Sequence, residues 1–332
     1  MNAMGSAGGA PRVYLSFVLP CYNEGEVLPE TYRRVKAVSG GLGRGYEIIL
    51  VNDGSTDSTL AQMRRLAEAD STIVVVDLSR NHGHQLALSA GLHCCAGERV
   101  LIMDADLQDP PEMLPRMLSL MDNGADVVYA QRRSRRGDDP VKRMACGIFY
   151  RLIARLSEST VPLDTGDFRL ISRRVLDIIL LMPERHRFIR GMVSWVGFNQ
   201  VPILYDRDSR FAGKTKYPWN KLVKLALDGI AASSTKPLAL ASYSGMICAM
   251  GSLILVCYAL YSWLWVGNTP QGWTSLMVVV TALGACQLFV LGIMGQYLGR
   301  IHEQARGRPL FIIKDIIRHS GPERPPPSAS RD

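Results

Sequence analysis

Between residues 12 and 131 the chain alternates short, β-branched apolar runs with longer stretches whose apolar positions recur at helical spacing. VYLSFVL (13–19), YEIILVN (46–52), TIVVVDL (72–78), RVLIMD (99–104) and DVVYAQ (126–131) read as strands, and 24–38, 57–69, 84–95 and 112–122 read as helices. Near-continuous apolar strands are covered on both faces. The alternation therefore predicts an α/β domain over 12–212, a mostly parallel sheet with helices on both faces. Ligands of such sheets lie at the carboxyl ends of the strands, where the polar motifs of this chain fall.

From Pro237 to Gly299 the pattern changes, because these 63 residues contain no Asp, Glu, Lys or Arg. That length predicts two transmembrane helices at about 240–266 and 273–298, a hairpin turned by GNTPQG (267–272), with Trp263, Trp265 and Trp273 as an interfacial belt. Lys214, Lys216, Lys221, Lys224 and Lys236 precede it and Arg300, Arg306 and Arg308 follow. The positive-inside rule then puts the catalytic domain and both termini in the cytoplasm, as an integral protein of the bacterial inner membrane. Leu222, Leu225, Ala226 and Ile230 make 213–236 an interfacial amphipathic segment. In the juxtamembrane segment 300–319, RPLFIIKDIIR either lies along the bilayer or packs against the catalytic domain. Residues 1–11 and the Pro- and Ser-rich 320–332 read as a disordered leader and tail.

Composition adds two points. A hydrophobic content of 47% supports a sizeable core, and the excess of 38 Lys and Arg over 30 Asp and Glu, a formal charge of +8, suits an anionic partner. The seven cysteines form no C-x-x-C, which argues against a zinc site or disulfide framework and for a reducing compartment.

In LPCYNEGEVLPE, Pro20 stops the first strand and Asn23 or Glu24 can begin a helix. In VNDGSTDSTL, Asp53-Gly54 makes a sharp turn, and Ser55, Thr56 or Asp57 can cap the next helix. Asp53 is left facing the crevice, able to accept hydrogen bonds from a base or ribose. In SRNHGHQLALSAGL, Gly83 permits close backbone approach while Asn81, His84 and Gln85 offer polar contacts. His82 and His84 lack a third metal ligand. GGLGRG (40–45) precedes a strand, so it lacks the order that positions a pyrophosphate. In DADLQDPPE, Asp109 is placed to cap a helix. Asp104 and Asp106 instead repel one another in the crevice, a repulsion that a hard divalent cation relieves, with the Gln108 amide as a further oxygen ligand. The pair points to a metal-held diphosphate.

Together LPCYNE, VNDGSTD, SRNHGHQLALSAGL and DADLQDPPE resemble the family 2 glycosyltransferases with a GT-A fold. DTGDFRLISRRV and RFAGKTKYPWNKLVKLALDGI, followed by the hairpin, resemble the polyprenyl-phosphate branch, which includes bactoprenol glucosyltransferases and dolichol-phosphate mannose synthases; the likeness spans about 14–312. The resemblance implies a nucleotide-sugar site of Pro20, Tyr22, Asn23, Glu24, Asp53, Asn81, Gly83, Gln85, Asp104 and Ala105. It implies Mg²⁺ or Mn²⁺ on Asp104, Asp106 and Gln108, with Asp104 and Asp167 catalytic, Asp167 lying next to the reacting sugar. The processive Q-x-x-R-W motif is absent, which points to single transfer.

The implied partners are a nucleotide sugar, UDP-glucose before GDP-mannose or modified UDP-sugars, a polyprenyl phosphate and the membrane, with no nucleic acid and a homo-oligomer left open. A phosphate monoester is largely dianionic at neutral pH, so Asp167 is expected to orient the sugar or an Arg more than to remove a proton. Arg132, Arg143, Arg169, Arg210, Lys214 and Lys216 are the candidates to neutralise the incoming phosphate. In-line displacement inverts the anomeric centre. The competing readings are a non-phosphorylated acceptor and a catalytically silent membrane component.

Overall fold

A computed structural model describes residues 13–132, 165–205 apart from position 186, isolated positions between 243 and 265, and 272–319. Eight strands form one sheet: β1 (Leu15–Cys21), β2 (Tyr46–Asn52), β3 (Ile73–Leu78), β4 (Arg99–Ile102), β5 (Val127–Arg132), β6 (Thr165–Ser172), β7 (Gln200–Tyr205) and β8 (Ile313–Arg318). Their order is β7-β5-β6-β4-β1-β2-β3-β8. β6 runs antiparallel to β4 and β5, and β8 antiparallel to β3; the other pairings are parallel.

Strand alternation sends Phe17, Leu19, Ile48, Leu50 and Val75 to one face, in a core shared with Leu28 and Val35 of α1 (Leu28–Gly40), Met63 of α2 (Thr59–Ala69) and Met117 of α4 (Leu114–Asp122). Val18, Ile49, Val51, Val74 and Val76 point the other way. There they pack with Leu88 and Leu92 of α3 (His84–Cys94), Val175 and Ile179 of α5 (Arg173–Leu181), and Ile189 and Val193 of α6 (Ile189–Val196). Apolar residues at successive strand positions are thus used on both sides.

The expected mostly parallel sheet with helices on both faces is present, and several local expectations are corrected. β1 continues through Pro20, which sits opposite Val51, and ends at Cys21. The next helix starts at Leu28, four residues or more beyond Asn23 and Glu24. Asp109 is not the cap residue of the helix that follows, a place taken by Pro110 and then Met113; it is buried and accepts a hydrogen bond from the Tyr205 hydroxyl at 3.0 Å. The first turn after it is a short 3₁₀ segment, Pro111–Met113, which leads into α4. β6, β7 and β8 were not among the expected strands.

Of the two readings of RPLFIIKDIIR, packing against the catalytic sheet is the one realised. Ile313–Arg318 is the edge strand beside β3, with Asp315 opposite Asp77 and Ile317 opposite Val75.

The chain divides into two compact units, one holding this sheet, the other holding α7 (Trp273–Ala305). At 33 residues α7 is about 50 Å long at 1.5 Å per residue. Its stretch Ala282–Gly299 is apolar and long enough to cross a membrane. Cys248, in a helical stretch of the same unit, has its Sγ 3.4 Å from Sγ of Cys286. Most of the expected first span and of the interfacial segment lies outside the described residues.

Candidate active site

The loops after β1 and β2 are stitched together. Asn23 sits at φ 55°, a left-handed conformation that Asn tolerates. Its backbone N–H donates to Ser55 Oγ at 3.1 Å, and its side-chain oxygen accepts the Thr56 N–H at 2.8 Å. Glu24 N–H donates to Thr59 Oγ1 (2.9 Å) and Gly25 N–H to Asp57 Oδ2 (3.1 Å). Asp57 also accepts the Thr59 N–H at 3.0 Å, so of the three expected capping residues it is the one that satisfies the start of α2. Asn52 holds the turn from below, accepting from Ser55 N–H (3.1 Å) and donating to buried Asp77 (2.7 Å). The exposed ring of Tyr22 stands beside this double loop.

Asp53 does not stand open in the crevice as expected. It is buried, and its two oxygens accept the backbone N–H groups of His82 (2.7 Å) and Gly83 (3.0 Å). Burial pushes its carboxyl up, while those two donors pull the other way. Asp53 therefore shapes the loop leading into α3, and any base would meet it through its remaining lone pairs. Gly54 makes the close approach possible: its φ is 65°, and a Cβ there would lie 2.5 Å from Asn81 N. Gly54→Ala is expected to cost about 1–3 kcal/mol, from the left-handed backbone and the clash, and to weaken nucleotide binding. Thermal unfolding with and without UDP measures both effects.

The loop after β4 carries Asp104 to Gln108. Thr31 of α1 donates its hydroxyl to Ala105 O at 2.8 Å, and Leu107 is buried at φ 61°, so the loop is pinned to the core on either side of Asp106. Gln108 N–H donates to Asp106 Oδ1 at 3.2 Å. Asp104, Asp106 and Gln108 are partly exposed and offer only oxygen ligands. Among the described residues no three His, Cys, Asp or Glu side chains cluster as a self-sufficient metal site. Two carboxylates with an amide fit the arrangement in which Mg²⁺ or Mn²⁺ takes its remaining ligands from substrate phosphates and water.

The centre of the site is Asp167, on β6. His84 Nε2 lies 3.2 Å from Asp167 Oδ2 and 3.5 Å from Asp104 Oδ1, and so links two carboxylates 63 positions apart in sequence. Gln85 Nε2 donates to Asp167 Oδ2 (3.0 Å), while its Oε1 accepts the Ile189 N–H (3.0 Å). Arg190 Nε faces Asp167 Oδ1 at 3.0 Å, and its Nη1 donates to Thr165 O at 3.0 Å. Burial alone would raise the Asp167 carboxyl. His84 and the guanidiniums of Arg190 and Arg169 outweigh it and hold Asp167 well below the usual carboxylate range. Partial withdrawal from water opposes charge on His84, but Asp167 and Asp104 overcome this and the net shift is upward. α3 begins at His84, which adds its positive N-terminal end to the same field.

These placements sort the expected residues. Asp104, Asp167 and Gln85 come together; Asn23, Glu24 and Asp53 build the adjoining loops, and Gly83 precedes α3 at φ 94°. Asn81 is exposed, while Pro20 and Ala105 are buried. Arg169 is corrected as an acceptor-phosphate residue. It is 3% exposed and donates to Gly166 O (2.8 Å) and Asp167 O (3.3 Å), its guanidinium pushed down to about 10 by burial despite Asp167. Its charge is an internal counter-ion. Arg132 ends β5; Arg143, Arg210, Lys214 and Lys216 lie outside the described residues. Arg190 was missed, and no motif around FIRGM singled it out. The link from His84 to both carboxylates was missed too, although its strand-end position was visible.

Comparison with known proteins agrees with this architecture. Residues 16–180 match Glycosyl transferase family 2. An uncharacterized glycosyltransferase of Bacillus subtilis, YkcC, is 42% identical over 91% of this chain and 94% of its own length. The bactoprenol glucosyl transferase of Shigella phage SfV is 38% identical over 91% of this chain and 98% of its own. Among solved structures, glucosyl-3-phosphoglycerate synthase from Mycobacterium tuberculosis aligns with a TM-score of 0.42 at 21% identity, covering 66% of this chain and 78% of that one. A mixed sheet with polar motifs at its strand ends has its ligand crevice there, and the relatives say what kind of protein carries it. The chain belongs to glycosyl transferase family 2 and is a glycosyltransferase.

Proposed function

We infer that the protein transfers one sugar from a nucleotide sugar, UDP-glucose before GDP-mannose or a modified UDP-sugar, to a polyprenyl phosphate at the cytoplasmic face of the membrane. The anomeric centre is inverted. The observation that carries this reading is the coupling of Asp104 to Asp167 through His84, with the Arg190 guanidinium alongside, because a reaction joining two anionic substrates needs compensating charge on both sides of the sugar. The similarity to a bactoprenol glucosyl transferase over nearly the full length of both chains supports a lipid acceptor. So does the apolar stretch of α7. The basic residues flanking the 63-residue uncharged segment support cytoplasmic termini.

In this mechanism Asp104, Asp106 and Gln108 would hold a divalent cation, which would supply charge neutralisation at the leaving diphosphate. The stitched loops after β1 and β2, with Tyr22, hold the nucleoside. Asp167 is a poor proton acceptor at neutral pH, being held far below the usual carboxylate range. It orients His84, Gln85 and Arg190 about the sugar while the already ionised acceptor phosphate attacks.

Radiolabelled sugar from UDP-glucose, GDP-mannose and UDP-N-acetylglucosamine, offered with undecaprenyl phosphate or undecaprenol, tests the reading. Label is expected in lipid with the phosphate acceptor and one donor. Equal labelling of undecaprenol, or no labelled lipid with any donor, would sink it.

A further inference from the structure

We propose that Arg190 is a binding residue for the phosphate of the incoming lipid; the assignment rests on the reaction inferred above. Four side chains of alternating character are linked by contact, Asp104 to His84, His84 to Asp167 and Asp167 to Arg190, at 3.5, 3.2 and 3.0 Å. Asp104 marks the end where the nucleotide diphosphate leaves. In-line displacement brings the nucleophile to the opposite side of the anomeric carbon. The acceptor therefore arrives on the side away from Asp104, and Arg190 is the member of this set three contacts removed from Asp104.

The chemistry of the two guanidiniums beside Asp167 separates their roles. Arg169 is sealed in the protein with its donors on backbone carbonyls, so no exogenous anion reaches it. The Arg190 side chain keeps 32% exposure. Asp167 Oδ1 stands 3.0 Å from its Nε as a counter-charge without an aligned hydrogen bond, Thr165 O takes Nη1, and Phe188 lies against the guanidinium with its ring centre 5.5 Å from Cζ. The fork is thereby held at Nη1 and against the ring, with Nη2 left to receive a ligand. A planar fork matches a phosphate monoester, which a lysine at this place would meet only as a point charge. Asp167 is then a positioning residue for Arg190, which accounts for a carboxylate so strongly stabilised in its ionised form beside the reacting centre.

Titration calorimetry of the full-length protein in detergent, with farnesyl phosphate and separately with UDP plus Mn²⁺, tests the assignment. Arg190→Ala is expected to weaken farnesyl phosphate at least tenfold and to leave UDP within twofold. Farnesol, which lacks the phosphate, is expected to bind the wild type and the variant alike. Should alanine loosen the fold, Arg190→Lys decides, with a several-fold loss on farnesyl phosphate alone. Wild-type affinity of both variants for farnesyl phosphate overturns the proposal, and so does an equal loss on both ligands in both variants, which would mark Arg190 as a structural counter-ion. If Arg190-dependent binding of farnesyl phosphate is found without sugar transfer to any polyprenyl phosphate, the inferred reaction fails while this contact stands.

Discussion

Asp106→Ala is expected to lower sugar transfer about a thousandfold while the protein stays folded. A cation on the leaving diphosphate contributes several kcal/mol of transition-state stabilisation, and about 4 kcal/mol corresponds to that factor. Asp106 is partly exposed and accepts the Gln108 N–H at 3.2 Å. A hydrogen bond of this kind contributes about 0.5–1.5 kcal/mol to stability, well short of the loss expected in transfer. Removing divalent cations with EDTA is expected to match the substitution, and adding Mn²⁺ or Mg²⁺ back restores the wild type alone. The assay is steady-state transfer with thermal unfolding run in parallel. Full activity in chelator would remove the metal from the mechanism and leave the diphosphate to the basic side chains.

Asp167→Asn is expected to damage both stability and transfer. Asp167 is 7% exposed and its charge acts on the buried Arg169 guanidinium as well as on Arg190 and His84, so neutralising it leaves a buried cation less compensated, at a cost of about 1–3 kcal/mol. Adding Arg169→Met to Asp167→Asn is expected to recover part of the stability and none of the transfer, because Arg190 and His84 still lack their anchor. Denaturant unfolding of the three variants, paired with the transfer assay, separates the two effects.

The pH dependence follows from the sign of the shift. Asp167 has a folded-state value below its unfolded value of about 4, so its contribution is fully present above that pH. It is lost as the medium becomes acidic enough to protonate the folded carboxyl. The part of the stability gap between wild type and Asp167→Asn that is owed to Asp167 itself should thus shrink below about pH 4. The part carried by protonated His84 is full below about 6.5 and is lost as the pH rises through the raised His84 value. A gap that kept its full size below pH 4 would contradict the assigned ionisation of Asp167.

Much of this was written into local stretches of chain. β2 lies where YEIILVN predicts it, and the cores on the two faces of the sheet are the two alternating sets of a continuous apolar run. The motif residues fall at strand ends because an apolar strand must stop where the chain meets solvent. A 63-residue uncharged segment is visible without any fold, since its composition alone separates it from the rest.

The tertiary structure decided what depends on contacts between remote segments. No spacing rule joins Asp104 to His84, Asp167 and Arg190; β6 does so by running backwards between β4 and β5 and returning Asp167 to the end of β4. Arg169 and Arg190 are equivalent as letters, and only burial separates an internal counter-ion from a solvent-facing fork. Asp109 reads as a helix cap until Tyr205, 96 residues away, takes its oxygen. Ile313–Arg318 reads equally well as an interfacial segment or a packed one until β3 offers an unpaired edge. Propensity and periodicity report on neighbours a few residues away. The charge state and partner of a buried side chain are set by whatever the fold brings within about 4 Å of it.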